Sequence, residues 1–171
     1  MFIPTIYIEN IKPENKSIEV SSNKLHHLKN VLRIRDEDKI KISNGKGLVF
    51  YGNFVNNCVK INKSRMYERQ NSLRIFVPYL REKNRFRFLI EKLTELNVNE
   101  VHIGMTENTQ NTNYNKSKIL DWAISALEQS GSAYLPRLFF PDNLNFSVFS
   151  TCLDISGETL NKNREKLNNF A

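Results

Sequence analysis

The chain has 171 residues, 40% of them hydrophobic and 11% aromatic, with a formal net charge of +7. That is enough apolar side chain for a core, which excludes a disordered chain, and a length suited to one or two small domains. Two cysteines, Cys58 and Cys152, are too few for a disulfide framework, and with His26, His27 and His102 they lack zinc spacing, so a reducing compartment and no metal are expected.

The opening MFIPTIYIEN has neither a basic leader nor an apolar run fit for a signal peptide, and no segment approaches a membrane span. A cytoplasmic protein without a membrane partner is expected. Phe2, Ile3 and Ile6 to Ile8 read as a first strand and Ser17 to Val20 as a second. Ser22 to Leu32 reads as a short helix, capped by Ser21 or Ser22, with Leu25, Leu28, Val31 and Leu32 inward. Lys39 to Ile42 alternates as a half-buried strand does, and Asn44-Gly45 followed by Gly47 is a hairpin turn whose central positions take positive φ. Leu48 to Val55 and Cys58 to Ile61 continue a meander, so residues 1–71 predict a small β-barrel with one short helix. This part holds 13 Lys+Arg against 7 Asp+Glu, whereas residues 72–171 hold 12 against 11. A basic first domain beside a near-neutral one suggests a polyanion dock on the first.

Polar, aperiodic Tyr67 to Ser72 marks the boundary, and Leu73 to Tyr79 is a strand stopped by Pro78. In RFRFLIEKLTELNVNEVHI, Phe86, Leu89, Leu93 and Leu96 recur at the period of one helix face, with Arg87 and Glu91, and Lys92 and Glu95, within pairing distance outside. Asn97 or Asn99 ends this helix in a left-handed turn before strand Val101 to Met105. Gln110 to Asn115 is a polar loop in which Asn113 or Asn115 caps a helix running to about Gln129. Ile119, Trp122, Ala123, Ala126 and Leu127 form its buried stripe. Thr151 to Ile155 reads as one more strand and Glu158 to Asn168 as a charged helix or tail.

Three stretches carry a resemblance. KLHHLKNVLRIRDEDKIKISNGKG is similar to "HHL-x-x-VLR…GD-x-i-x-x-x-dGkG", EKLTELNVNEV to "K-x-TELGV", and ALEQSGSAYLP to "A-x-EQSgR-x-x-vP". The pattern is that of the ribosomal RNA small subunit methyltransferase E family, which methylates N3 of a uridine in 16S ribosomal RNA and belongs to the knotted SPOUT class. Four departures stand out: Glu37 for a Gly, Asn97 for a Gly, Asn108 for the Arg of "TERS", and Ser132 for an Arg. The resemblance implies an α+β two-domain chain. A PUA-like RNA-binding β-barrel, 1–71, precedes the first part of an α/β SPOUT methyltransferase domain with a parallel sheet, 72–171, truncated before the knot.

The family's activity uses S-adenosylmethionine as methyl donor and the small ribosomal subunit as partner, and its members form homodimers. Uracil N3 must lose its proton before it attacks the methyl sulfonium, so a base or an electrostatic site is required. Glu95 and Glu128 are the positioning candidates, and neither is assigned as the base. His26, His27, Arg33, Arg35, Lys46, Lys92 and Gln129 are the expected RNA contacts, the cations for phosphates and His27 for stacking on a nucleotide. Without the resemblance, the histidines read as a bare helix surface and Arg33 as a partner of Asp36 or Asp38. The stretches that hold the donor in the family, "GPEGG" and "LG-x-rILR-x-ETA", do not occur in this sequence. The 171 residues alone are therefore expected to bind no donor and to be inactive. The alternative is a non-catalytic PUA-like RNA-binding protein derived from the same family.

Overall fold

The computed structural model describes residues 3–69, 72–106, 109 and 115–141. The expectations for Phe2, for Glu107 and Asn108, for most of the 110–115 loop, for the strand Thr151 to Ile155 and for the helix after Glu158 lie outside these residues.

Five strands of the first 71 residues form one sheet in the order β1-β3-β4-β5-β2. They are β1 (Thr5–Tyr7), β2 (Ser17–Glu19), β3 (Lys39–Ser43), β4 (Leu48–Val55) and β5 (Cys58–Met66). Only β3, β4 and β5 make the expected meander. β1 lies parallel to β3 and β2 antiparallel to β5, so the sheet curls into a half-barrel with β1 and β2 at its edges. Alternation explains why it curls: Ile40, Ile42, Leu48, Phe50, Phe54 and Val59 turn to one side and bury together with Ile6, Ile18 and Leu28.

The helix between β2 and β3 differs from its sequence pattern. It is regular only as α1 (Ser22–His26), then widens into a π-turn over His27–Val31, where Leu32 N–H bonds His27 O at 3.1 Å. Each extra residue in a turn rotates the next part of the chain by about 100°. Val31 and Leu32 therefore face solvent, at 61% and 39% exposure, while Leu28 and Ile34 take the core positions. Ser21 precedes the helix without a side-chain cap bond.

β4 and β5 fall out of register between Tyr51 and Gly52, leaving Asn62 as the extra residue of a bulge. A Cβ on Gly52 would stand 2.1 Å from the Lys60 carbonyl oxygen, so no side chain fits there. The bulge bends the long hairpin and turns Lys63 and Arg65 to the outer face of the sheet, opposite Tyr51 and Val49.

The second half is a parallel three-stranded sheet, β6 (Arg74–Pro78), β7 (Glu100–Gly104) and β8 (Arg137–Phe139), in sequence order. Helix α2 (Lys83–Glu95) joins the first pair and α3 (Lys116–Ser130) leads toward the third strand. Two crossovers of one hand in that strand order put both helices on the same face, and α2 and α3 do pack together. Between them and the sheet lie the rows Ile75, Val101, Leu138 and Val77, Ile103, with Phe86 set edge-on to Trp122 at 6.1 Å.

The α3 stripe is buried at all five expected positions. In α2 the stripe is Phe86, Ile90 and Leu93, whereas Leu96 is 71% exposed. Leu96 has left the helical path, and Asn97 at φ 58° turns the chain so that Val98 fills the core instead. Thr94 is tolerated inside because its hydroxyl donates to Ile90 O at 2.9 Å. No helix among the described residues is long and apolar enough to cross a membrane.

Replacing Gly52 with Ala is expected to lower unfolding free energy by about 1–3 kcal/mol, since the added carbon overlaps backbone. Urea unfolding followed by circular dichroism measures this; an unchanged midpoint would contradict the bulge geometry.

Candidate nucleic-acid interface and the seam beneath it

The two sheets meet along a short backbone seam. α3 ends at Gly131, left-handed at φ 68°, whose N–H bonds Leu127 O at 2.9 Å. The chain then runs back along the β3–β4 turn: Gly47 N–H bonds Ala133 O at 2.9 Å and Leu135 N–H bonds Gly45 O at 2.8 Å. The expected hairpin glycines are left-handed, Gly45 at φ 68° and Gly47 at φ 99°. Asn44 is not among the positive-φ residues; its side chain instead accepts from Lys46 N–H at 2.8 Å and Leu48 N–H at 3.0 Å. A Cβ on Gly47 would reach within 2.7 Å of the Tyr134 hydroxyl, so the turn doubles as a docking edge.

Side chains close the seam. Glu128 Oε1 accepts Tyr7 N–H at 2.8 Å and the Lys24 ammonium at 2.6 Å. The Lys41 ammonium donates to Gly131 O, and the Tyr134 hydroxyl donates to Tyr67 O. Burial lowers the Lys41 pKa, with Tyr67 nearby opposing the change. Ser132 donates to Asn97 Oδ1 at 2.5 Å, so two of the residues that depart from the family pattern touch each other.

The residues expected to contact RNA are placed as follows. His26 and His27 are exposed on α1 and its π-turn, and Arg33 and Arg35 are exposed just beyond. Arg33 stands at φ 55° and has no ion pair among the described residues. Asp38 accepts Arg35 N–H at 2.7 Å and Asp36 accepts Asn56 N–H at 3.4 Å, so these carboxylates hold turns rather than Arg33. Lys46 pairs loosely with Glu9 at 3.3 Å, both exposed, a contact that a phosphate can displace. Gln129 is exposed. Lys92 and Glu95 pair with each other at 2.7 Å on the surface of α2, and no described bond joins them to the seam. Glu128, by contrast, is committed to Tyr7 and Lys24.

A second group escaped the sequence reading. Lys63 lies over the Tyr51 ring at 5.0 Å, Arg65 over Tyr67 at 4.6 Å and Arg69 over Tyr134 at 4.5 Å. Every second residue from Lys63 to Arg69 is basic or aromatic, and that period on a strand was the available signal. The Tyr51 and Tyr67 hydroxyls meet at 2.7 Å. Burial and the bond to Tyr67 push Tyr51 up to about 12, while the Tyr51 bond, then Arg65 and Lys41, lower Tyr67. Two cavities are described, one of about 310 Å³ lined by Tyr7, Glu19, Ser21 and Lys24, the other of about 220 Å³ lined by Lys39, Tyr51, Gly52, Asn53, Asn62 and Lys63.

Removing the Glu128 carboxylate as Glu128→Ala leaves Tyr7 N–H and Lys24 without their acceptor, and should cost about 1–3 kcal/mol in urea unfolding. A loss within error of zero would remove Glu128 from the seam. The tyrosine pair should titrate in two steps by ultraviolet absorbance, one below 10.0 and one near 12. In Tyr51→Phe the lower step should return toward 10.0, and a lower step unmoved by that substitution would assign it to another group.

Comparison with known proteins agrees with this arrangement. The model of the RNA methyltransferase domain matches residues 68–155, just over half of the 171-residue chain, and that of the RNA methyltransferase PUA domain matches residues 21–51. Ribosomal RNA small subunit methyltransferase E from Buchnera aphidicola subsp. Schizaphis graminum is 31% identical over 153 residues, covering 82% of this chain and 62% of its own. The protein of the same name from Buchnera aphidicola subsp. Acyrthosiphon pisum is 30% identical over 162 residues, covering 88% and 62%. The chain thus spans less than two thirds of these curated relatives. Among solved structures, a predicted RNA methyltransferase from Thermotoga maritima superposes with a TM-score of 0.69 at 25% identity, covering 84% of this chain and 67% of that one. Ribosomal RNA small subunit methyltransferase E from Neisseria gonorrhoeae, solved bound to S-adenosyl methionine, gives 0.71 at 21%, covering 83% and 62%. The chain therefore belongs to the RNA methyltransferase domain family, with the small subunit methyltransferase E proteins among its relatives.

Proposed function

We propose that this chain forms the RNA-binding part and the first α/β part of a methyltransferase that modifies uridine N3 in 16S ribosomal RNA, with S-adenosylmethionine as methyl donor. The reading divides the chain into two domains, 1–71 and 72–171, working as a homodimer in the cytoplasm. The observation that carries it is the seam. A half-barrel bearing exposed Arg33, Arg35 and Lys46 is held by Glu128 and the Gly45–Gly47 edge against a parallel sheet, so RNA gripped by one part is presented to the other in a fixed direction.

In open parallel sheets, ligands sit outside the carboxyl ends of the strands, here beyond Pro78, Gly104 and Phe139. The two cavities described above are lined by half-barrel residues. The two stretches assigned to the donor by resemblance are missing from the sequence. The proposal is accordingly that the 171 residues alone bind RNA and transfer no methyl group. The role left to this chain is to bind and orient RNA. Arg33, Arg35 and Lys46 meet phosphates, and His26 and His27 flank a nucleotide. Lys92 and Gln129 are assigned outlying RNA contacts. Glu128 acts through the seam as a positioning residue, and Glu95 holds Lys92.

A second reading is a PUA-like RNA-binding protein without catalysis; methyl transfer by the chain extended to the relatives' length separates the two.

Arg33→Ala with Lys46→Ala should weaken RNA binding and reduce the slope of log K against log salt by about 1 for each lost phosphate contact. An unchanged slope would take these two cations out of the interface. Calorimetric titration of the 171-residue chain with S-adenosylmethionine should give no saturable heat; a saturable isotherm would show a donor site here.

A further inference from the structure

The stripe Tyr51, Lys63, Arg65, Tyr67, Arg69 and Tyr134 lies apart from Arg33, which sits by the β4–β5 turn, and adjoins Lys46 through the bridge between Lys46 and Tyr134. The register places Thr5, Lys41, Tyr51 and Lys63 in one row across four strands on the outer face of the half-barrel, with Arg65 in the next row. At one end of that row Lys41 is tied to the seam through Gly131 O. From Tyr51 outward each ring carries a cation, and the three pairs are linked in series. The Tyr51 hydroxyl meets that of Tyr67, and Tyr134 donates to Tyr67 O. The series thus begins on β4 and β5 and ends on the segment leading into β8.

Its charge is uncompensated. No carboxylate pairs with Lys63, Arg65 or Arg69 among the described residues. Glu100 is the acid nearest in effect to Arg69, and it is already shared by Arg74, Arg137 and His102. The Arg69 Nε is buried with no hydrogen-bond partner, so ring stacking and the single Nη2 bond to Leu135 O at 3.4 Å orient this guanidinium. A guanidinium laid on a tyrosine offers its outer plane to a further flat π-system, and cations at alternate strand positions follow a phosphate backbone. The 220 Å³ cavity beside Tyr51 and Lys63 is rimmed by Asn53 and Asn62, amides able to bond the edge of a splayed base.

We propose that this stripe is a track for single-stranded RNA. Unstacked bases lie on the Arg65 and Arg69 planes, phosphates run along Lys63 and Arg65, and one base edge enters the cavity at the bulge. The inference rests on the RNA-binding reading above and extends it to a surface that the family motifs do not mark. A duplex is the poorer occupant, because its bases are already stacked on each other.

The test is fluorescence anisotropy with a labelled single-stranded RNA of about 12 nucleotides, a length suited to such a track, and with the same strand annealed to its complement. The unaltered 171-residue chain should prefer the single strand. Lys63→Ala with Arg65→Ala should weaken single-strand binding on the order of tenfold, the value of one stacked base and its phosphate. Lys12→Ala with Lys16→Ala removes equal charge from another exposed place and should change affinity far less. Arg65→Lys keeps the charge and loses the plane, so it should lower single-strand preference while leaving the salt slope intact. All these residues are exposed, and matching circular dichroism spectra check that each variant is folded. Full affinity in Lys63→Ala/Arg65→Ala, an equal loss in the Lys12/Lys16 control, or a preference for duplex would each overturn the track. If only the Arg33/Lys46 variant loses binding, the RNA reading stands and the track falls. If the unaltered chain binds neither RNA, both fall together.

Discussion

The structure depends on a backbone contact that leaves almost no room for a side chain. Gly45 and Gly47 sit in left-handed conformations, and their N–H and C=O groups pair with Ala133 and Leu135. A two-rung contact of this kind is weak in isolation, because each hydrogen bond replaces one made to water. Its effect comes from where it sits. It anchors the segment between α3 and β8 onto the half-barrel, and Glu128, Lys41 and Tyr134 then close around it with side chains from both sides. The positions of Lys46, Arg69 and the tyrosine series are set by it, since each lies within a residue or two of a seam bond or stacks on a seam residue.

Glu128 shows how one carboxylate can do this. It lies at the C-terminal end of α3, where the helix dipole disfavours a negative charge. That cost is offset by a backbone N–H and an ammonium converging on a single oxygen, in a site where only about a quarter of the side chain meets solvent. Partial burial strengthens both bonds and excludes most of the water that would compete. Glu95, by contrast, pairs only with Lys92 three residues earlier on its own helix, a contact of little consequence to the fold. The two candidates thus differ through their surroundings rather than their chemistry.

Much of the fold was legible because it rests on local rules. Period two located β3, the glycine turn placed β4 after it, the α3 stripe was complete, and Asn97 ended α2 in the left-handed turn that Asn accepts. The misreadings arose where the period changes inside an element. Val31 and Leu32 keep helical spacing in the sequence, but the π-turn rotates them out, and nothing in HLKNV marks a wider turn. Leu96 fits the α2 stripe by counting, yet the helix has already ended. Strand pairing was not legible either, since β1 could join any free edge, and only the folded chain sets it parallel to β3. Arg33 and Lys46 were named as candidate RNA contacts by resemblance, whereas Lys63 and Arg65 owe their shared outward face to the Asn62 bulge, and a one-residue slip reverses which face a side chain takes.

The contact between Asn97 and Ser132 bears on how far the family pattern carries over. Both positions depart from it, and they are bonded at 2.5 Å across 35 residues of sequence. Asn97 also accepts the left-handed φ that the pattern leaves to glycine, so its side chain is available to hold Ser132. Ser132 in turn accepts Tyr134 N–H at 3.1 Å, which sets the segment that pairs with Gly45 and Gly47. Ser132 thus bonds Asn97 on one side and Tyr134 on the other, so the two departures act together at this corner. Lys24 and Lys41 are bonded inside the seam, while Lys46 at its turn and Arg69 over Tyr134 stand beside it.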